Sequence, residues 1–263
     1  LFMHPEQTEI VEKDYIGPVQ LSGVSGSGKT CVALKRAIRL AELNPSTKVL
    51  LVSLNKSLVG LLKKLLVLSS PTKEIEGQIT VLSMFELCQN LIVNSGQEDE
   101  RYYGEFSDVL KENIDLVFRE YYRCWLNNDD AKVIFKVHKM LLSNSIDAEV
   151  YIREEFDWIR SALVPSERDR YIEMPRTGRK FPLLKDARIE ILKSLVSWEK
   201  KMRDIGIIDY LGVCSSLFNF KDLLKPSFQH IIVDEAQDFG TTELTILKKL
   251  SMENDNNIFL CGD

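Results

Sequence analysis

Eight consecutive residues, Gly23-Val24-Ser25-Gly26-Ser27-Gly28-Lys29-Thr30, satisfy the pattern G-x-x-x-x-G-K-[ST] at every constrained position. Residues of these types at this spacing suit a polyphosphate. Gly23, Gly26 and Gly28 let the backbone curl so that its N–H groups, with those of Ser25 and Ser27, converge on one anion at the positive end of a helix. Lys29 is expected to reach the β- and γ-phosphates, and the Thr30 hydroxyl to hold Mg²⁺. A second constellation, Ile231-Ile232-Val233-Asp234-Glu235, ends an apolar run in two acids. Delivered to the carboxyl edge of a sheet, Asp234 would hold the same Mg²⁺, and Glu235 would act as the general base that orients and deprotonates an attacking water.

Such groups work only if strands and helices bring them together. Pro18–Leu21 reads as a short strand leading into the glycine loop, and Lys29 to about Leu43 as the helix after it, broken by Asn44-Pro45. Lys48–Val52 is apolar on successive positions, as in a strand covered on both faces, and a helix from about Lys56 to Leu68 follows. Gln78–Leu82 is expected as a third strand and Met84–Val93 as a third helix. Strands alternating with helices of this length imply βαβ units and a parallel sheet.

Between about residues 94 and 205 the pattern changes to helix alone. Ser107 is expected to cap a helix carrying Leu110, Ile114, Val117, Tyr121 and Trp125 at helical spacing. Ala131–Leu142, Ala148–Leu163 and a stripe of Ile191, Leu192, Leu195, Trp198 and Met202 continue it, and their aromatic residues read as core. The α/β pattern resumes with strands at Gln229–Val233 and Ile258–Cys261 around a helix at Thr242–Leu250. The expected architecture is α/β, a parallel sheet flanked by helices, in two parts, 1–95 and 206–263, interrupted by a helical insertion at 96–205.

The composition is that of an ordinary globular chain: 263 residues, 44% hydrophobic and 28% charged. No apolar run approaches the roughly 18 residues of a membrane span, and no secretory leader opens the sequence. Five scattered cysteines, none in a C-x-x-C pair, predict neither a disulfide framework nor a zinc site and point to a reducing, cytoplasmic setting. The first residue is Leu1 rather than Met and the last follows an apolar strand, which suggests part of a longer polypeptide. The net charge is −5, yet Arg170–Arg203 holds ten Lys/Arg against four Asp/Glu, a local +6 suited either to tracking phosphates or to a solvated helix face. Within it, the Pro-bounded loop Arg176-Thr177-Gly178-Arg179-Lys180 reads equally as a phosphate-facing guanidinium loop or an exposed turn.

Joined to GVSGSGKT, the run Asp234-Glu235-Ala236-Gln237-Asp238 behind Ile231-Ile232-Val233 resembles the superfamily-1 helicases of the UvrD/Rep type. By that resemblance, Gln7 in His4-Pro5-Glu6-Gln7 is the adenine-reading glutamine. A carboxamide can give one hydrogen bond and accept one at adenine's Hoogsteen edge. Gln237 would sense the γ-phosphate. Ser53 and Asn55 in Val52–Lys56, and Ser83 in Thr80–Phe85, fall where the family contacts single-stranded DNA; on the phosphate-facing reading of its own loop, and not by the resemblance, Arg179 would join them. Ile208-Asp209-Tyr210 resembles the segment preceding the acidic strand, and Phe259–Asp263 the start of the third helicase motif. The family usually has an aromatic residue where this chain has Leu54, and a histidine at Leu82. The helical insertion corresponds to the family's subdomain 1B within motor domain 1A.

The resemblance implies an ATP- and Mg²⁺-dependent DNA helicase or translocase of 3′-to-5′ polarity on single-stranded DNA, RNA standing as an open alternative. The family's second motor domain supplies arginines that these residues do not include. The chain alone is therefore expected to bind ATP but to hydrolyse it slowly, by a factor of about 10³ or more. A rival reading is a UvrD-like NTPase regulated by DNA or a protein partner, in defence or stress response, without processive unwinding.

Overall fold

The computed structural model describes residues 3–97, 99–104, 108–128, 131–176, 181–220 and 222–263. Five strands, β1 (Val19–Ser22), β2 (Val49–Ser53), β3 (Ile79–Ser83), β4 (His230–Val233) and β5 (Ile258–Gly262), form one sheet in the order β1-β5-β4-β2-β3. Every pairing is parallel. The α/β expectation holds, with strand bounds shifted by about one residue from those read in the sequence.

Six helices accompany the sheet among the described residues: α1 (Pro5–Glu12), α2 (Lys29–Leu43), α3 (Lys56–Ser69), α4 (Lys73–Gln78), α5 (Met84–Val93) and α11 (Thr241–Leu250). Register puts Val49, Leu51, Val81, Ile232, Phe259 and Cys261 on one face of the sheet. There they pack with Ala33, Ala37, Ile38 and Leu40 of α2 and Val59, Leu62 and Leu66 of α3. The alternate residues, Leu50, Val52, Ile231 and Val233, point to the opposite face and are also buried, which explains why β2 reads as an unbroken apolar run. Asn55, Thr72 and Ser83 cap α3, α4 and α5. At α5 the cap is reciprocal, Glu86 returning a bond to the Ser83 N–H at 2.8 Å.

The remaining helices, α6 (Asp108–Leu126), α7 (Lys132–Ser143), α8 (Ala148–Ala162), α9 (Lys185–Asp204) and α10 (Tyr210–Ser216), form a separate compact unit, Gly96–Asn219, with its own core. Ser107, expected as the cap of α6, lies outside the described residues. The sequence suggested that the insertion ends at residue 205, shortly after its final helical stripe. Residues 206–219 in fact belong to the helical unit, because Asp209 is held in its interior by Arg160 and Arg153. Among the described residues no helix is long and apolar enough to cross a membrane.

Trp198 is the largest wholly buried side chain of this core, with Phe118 edge-on at 5.1 Å and Tyr121 at 5.3 Å. Trp198→Ala is expected to cost about 3–5 kcal/mol through the cavity it leaves. Urea unfolding checks this, and a loss below about 1 kcal/mol would show that the helices close over the gap.

Candidate active site

The glycine loop joins β1 to α2, the acidic pair follows β4, and β5 lies between those two strands. Three chain segments far apart in sequence therefore meet at the carboxyl edge of the sheet, where α/β folds bind ligands. Gly28 adopts φ 84°, a left-handed conformation that suits glycine, and opens α2 as its N-cap. It is also a close approach: a β-carbon there would stand 2.7 Å from Gln7 Nε2.

Gln7 reaches the loop from α1. Its Nε2 donates to the Ser27 carbonyl at 2.8 Å, and its Oε1 accepts from the His4 N–H at 2.9 Å in the capping box that starts the helix. A carboxamide has two N–H groups and two lone pairs, so one of each remains for a ligand. Lys29 is 9% exposed and folds back on its own loop. Its ammonium donates to the carbonyls of Gly23 and Val24 and, at 2.5 Å, to Asp263 Oδ1. Gly23 in turn donates to the Gly262 carbonyl at 3.3 Å, tying the loop to the end of β5.

Asp234 is 1% exposed, and its backbone N–H donates to Val52 on β2 at 2.9 Å. Burial raises its carboxyl pKa and the charge of Glu235 adds to the rise, against the pull of the Thr30 hydroxyl and of Lys29. Its Oδ2 is buried with no hydrogen-bond partner among the described residues. A buried orphan oxygen beside a hydroxyl suits a divalent cation, which would compensate the carboxylate's burial. No cluster of three or more His, Cys, Asp or Glu side chains suited to a metal occurs among the described residues, so such an ion would draw its other ligands from phosphate and water.

Glu235 adopts φ 55°, unusual for a residue other than glycine, and is the point at which the chain leaves β4. Its Oε2 accepts from Gln237 Nε2 at 2.7 Å, and Gln237 Oε1 accepts from the Asp263 N–H at 3.2 Å. Gly262 makes room for this bridge, since a β-carbon there would lie 2.7 Å from Gln237 Oε1. Glu235, Gln237, Asp263 and Lys29 thus form one polar chain from β4 across β5 to the glycine loop. Asp263 is the member whose part residue type alone does not reveal. Its neighbour Gly262, after an apolar strand, was the available signal.

A model of the UvrD/REP helicase N-terminal domain family matches residues 3–263. The chain belongs to that family. It is also similar to the "Probable DNA helicase II homolog" of Mycoplasma genitalium, 33% identical over 81 residues, a match that spans 28% of this chain and 11% of that protein.

Within this UvrD/REP domain the residues expected to face DNA have other partners. Ser53 and Ser83 end the neighbouring strands β2 and β3 in register and are 0% and 3% exposed. Ser53 Oγ accepts from the Asn55 N–H at 3.4 Å, and Ser83 Oγ accepts from the Glu86 N–H at 3.2 Å. Asn55 is exposed, with its Oδ1 capping α3 through Ser57 and Leu58. Arg179 lies outside the described residues.

The charge count of the basic segment is misleading. Arg176 is turned inward onto buried Glu155 and half-buried Tyr151. Arg170, Lys185 and Lys193 pair with Glu167, Glu173 and Glu190, and Arg188 donates to four backbone carbonyls. Neither reading of Arg176, phosphate-facing or exposed, fits this arrangement, and residues 177–180 of the loop lie outside the described residues. The acidic partner of Arg176, Glu155, lies on α8, outside the basic segment, where a local count of charge cannot find it.

Proposed function

We propose that this domain binds ATP with Mg²⁺ at the carboxyl edge of β1, β5 and β4 and hydrolyses it as part of an ATP-dependent helicase or translocase moving 3′-to-5′ on single-stranded DNA. The observation that carries the reading is the convergence of Lys29, Thr30, Asp234, Glu235 and Gln237 on one sheet edge, in a chain matched by the helicase family over 3–263. The amides from Gly23 to Gly28 and the Lys29 ammonium bind the β- and γ-phosphates, and Gln7 reads the base with its remaining lone pair and N–H. Thr30 and Asp234 hold Mg²⁺, which neutralises phosphate charge when bound. Glu235 orients a water in line with the γ-phosphorus and takes its proton, and Gln237, bonded to Glu235, registers the state of that phosphate. Before ATP can be gripped, Lys29 must exchange Asp263 and the loop carbonyls for phosphate oxygens.

By itself the 263-residue chain binds ATP and turns it over slowly, because positive charge around the γ-phosphate here comes from Lys29. Asn55 and its exposed neighbour Lys56 are the side chains of the β2 edge offered to single-stranded DNA, with Ser53 and Ser83 holding that edge in shape.

The test is ATP turnover by the intact protein with and without single-stranded DNA, beside Lys29→Ala. Expected is strong stimulation by DNA and a fall of about 10²–10³-fold in the variant, as for loss of a preorganised transition-state donor. Turnover indifferent to DNA would remove the DNA-driven motor and leave an NTPase answering to another signal.

A further inference from the structure

The helix that carries Gln7 is gripped at its other end by one buried side chain. Arg36, on α2, is 1% exposed. Its Nη1 donates to the carbonyls of Ile10, Val11 and Lys13 at 2.9, 3.0 and 2.9 Å, and its Nη2 to Asn256 Oδ1 at 2.8 Å. Those carbonyls close the carboxyl end of α1, where a helix leaves acceptors without internal donors and its dipole favours a cation. The guanidinium also lies 4.7 Å from the ring centroid of Tyr15 and 4.7 Å from that of Phe259.

Asn256, at φ 58° in the loop before β5, completes the clasp. Its Oδ1 accepts from the Tyr15 N–H at 2.8 Å, its N–H donates to the Tyr15 carbonyl at 2.9 Å, and its Nδ2 donates to Asp14 Oδ1 at 3.0 Å. Three chain segments meet on this one guanidinium: the end of α1, the middle of α2, and the approach to the strand that ends beside Lys29.

We propose that Arg36 is a positioning residue for nucleotide selection, setting where the Gln7 carboxamide stands over the phosphate loop by clamping the end of α1 to α2. The proposal rests on the reading of Gln7 as the base-contacting residue. Arg36 follows Lys29 by seven residues, two turns of one helix, so the groups for base and for phosphate are referenced to a single rigid rod. An amide reading a base by one donor and one acceptor needs placement within a few tenths of an ångström. Adenine's Hoogsteen edge presents an acceptor and a donor, whereas guanine's presents two acceptors, so a displaced amide loses the distinction. A lysine at position 36 keeps the charge but replaces a planar fork spanning four acceptors with one ammonium.

Two readouts on the intact chain test this. Without nucleotide, Arg36→Lys is expected to speed amide hydrogen exchange over residues 8–13 by about tenfold, as for loss of one or more hydrogen bonds to a charged group, with the strands unchanged. With nucleotide, Gln7→Ala is expected to lower the ATP-to-GTP affinity ratio by about tenfold, and Arg36→Lys by about threefold or more. Adding Arg36→Lys to Gln7→Ala should then lower that ratio no further, because the arginine acts through the glutamine. Asn256→Gly removes Arg36's amide partner at a backbone angle glycine accepts, and stands in should Arg36→Lys fold poorly.

Unchanged exchange over residues 8–13, or an Arg36 effect on the ratio that persists in the Gln7→Ala background, overturns the proposal. A ratio unmoved by Gln7→Ala overturns the base-reading role and the proposal with it. Loss of nucleotide binding in Lys29→Ala would in that case still uphold the ATP site itself.

Discussion

Replacing Glu235 with glutamine is expected to lower ATP turnover by about 10²–10⁴-fold, the range for removing a positioned general base. Binding should change little. In the proposed site the nucleotide would be gripped by the loop amides, Lys29 and Gln7, and glutamine keeps the size of the side chain at a position where φ is 55°. Glutamine can also still bond to the Gln237 amide, which now pairs with Glu235 at 2.7 Å, so the link onward to Asp263 is preserved. What is lost is the carboxylate proposed to accept the proton of water. Single-turnover hydrolysis and nucleotide affinity, measured on the same sample, separate the two effects. A variant that binds tenfold more weakly yet hydrolyses at the parent rate would assign Glu235 to binding and leave the base unidentified.

The second large effect lies far from that chemistry in sequence and in kind. Asp209→Asn is expected to destabilise the helical unit by about 3–5 kcal/mol. Arg160 is wholly buried, and it donates to both carboxylate oxygens of Asp209, at 2.7 and 2.5 Å. Burial alone would lower the Arg160 pKa and raise that of Asp209. Each is instead driven the other way by its partner, so both are held charged. Arg153, Arg160 and Arg168 face Asp157, Glu199 and Asp209, three cations against three anions, and losing one anion leaves a buried positive charge. The cap of α10, where Asp209 accepts from the Gly212 N–H at 2.8 Å, is one that asparagine can also make, so the loss comes from the stranded charge. Urea denaturation measures the loss. The double variant Arg160→Met with Asp209→Leu should lose clearly less than the sum of its parts, since removing both charges leaves neither stranded. Additive losses would show that the pair is not coupled and that its burial is incidental.

The sequence by itself determined the parallel α/β sheet, because strand β2 is apolar at four successive positions, Val49–Val52, and the helix periods are local properties of the chain. It also named the glycine loop, since a polyphosphate cradle needs its glycines, lysine and threonine in one unbroken run. Helices α1, α4 and α10 were not read, although the chain carries their caps: His4 with Pro5 and Gln7, Thr72, and Asp209. Segments of six to eight residues show too few turns for an apolar period to stand out. Neither the partners of Lys29 nor the inward turn of Arg176 follows from residue type, and the same holds for the capping work of Ser53 and Ser83. Each depends on which strand lies beside which, and the order β1-β5-β4 is a property of the folded sheet. The clasp around Arg36 makes the point most fully. Its acceptors come from residues 10–13 and 256, more than 240 positions apart, and only tertiary structure decided that they surround one guanidinium. Hydrogen bonds and ion pairs act over about 3 Å of space, whatever the separation along the chain.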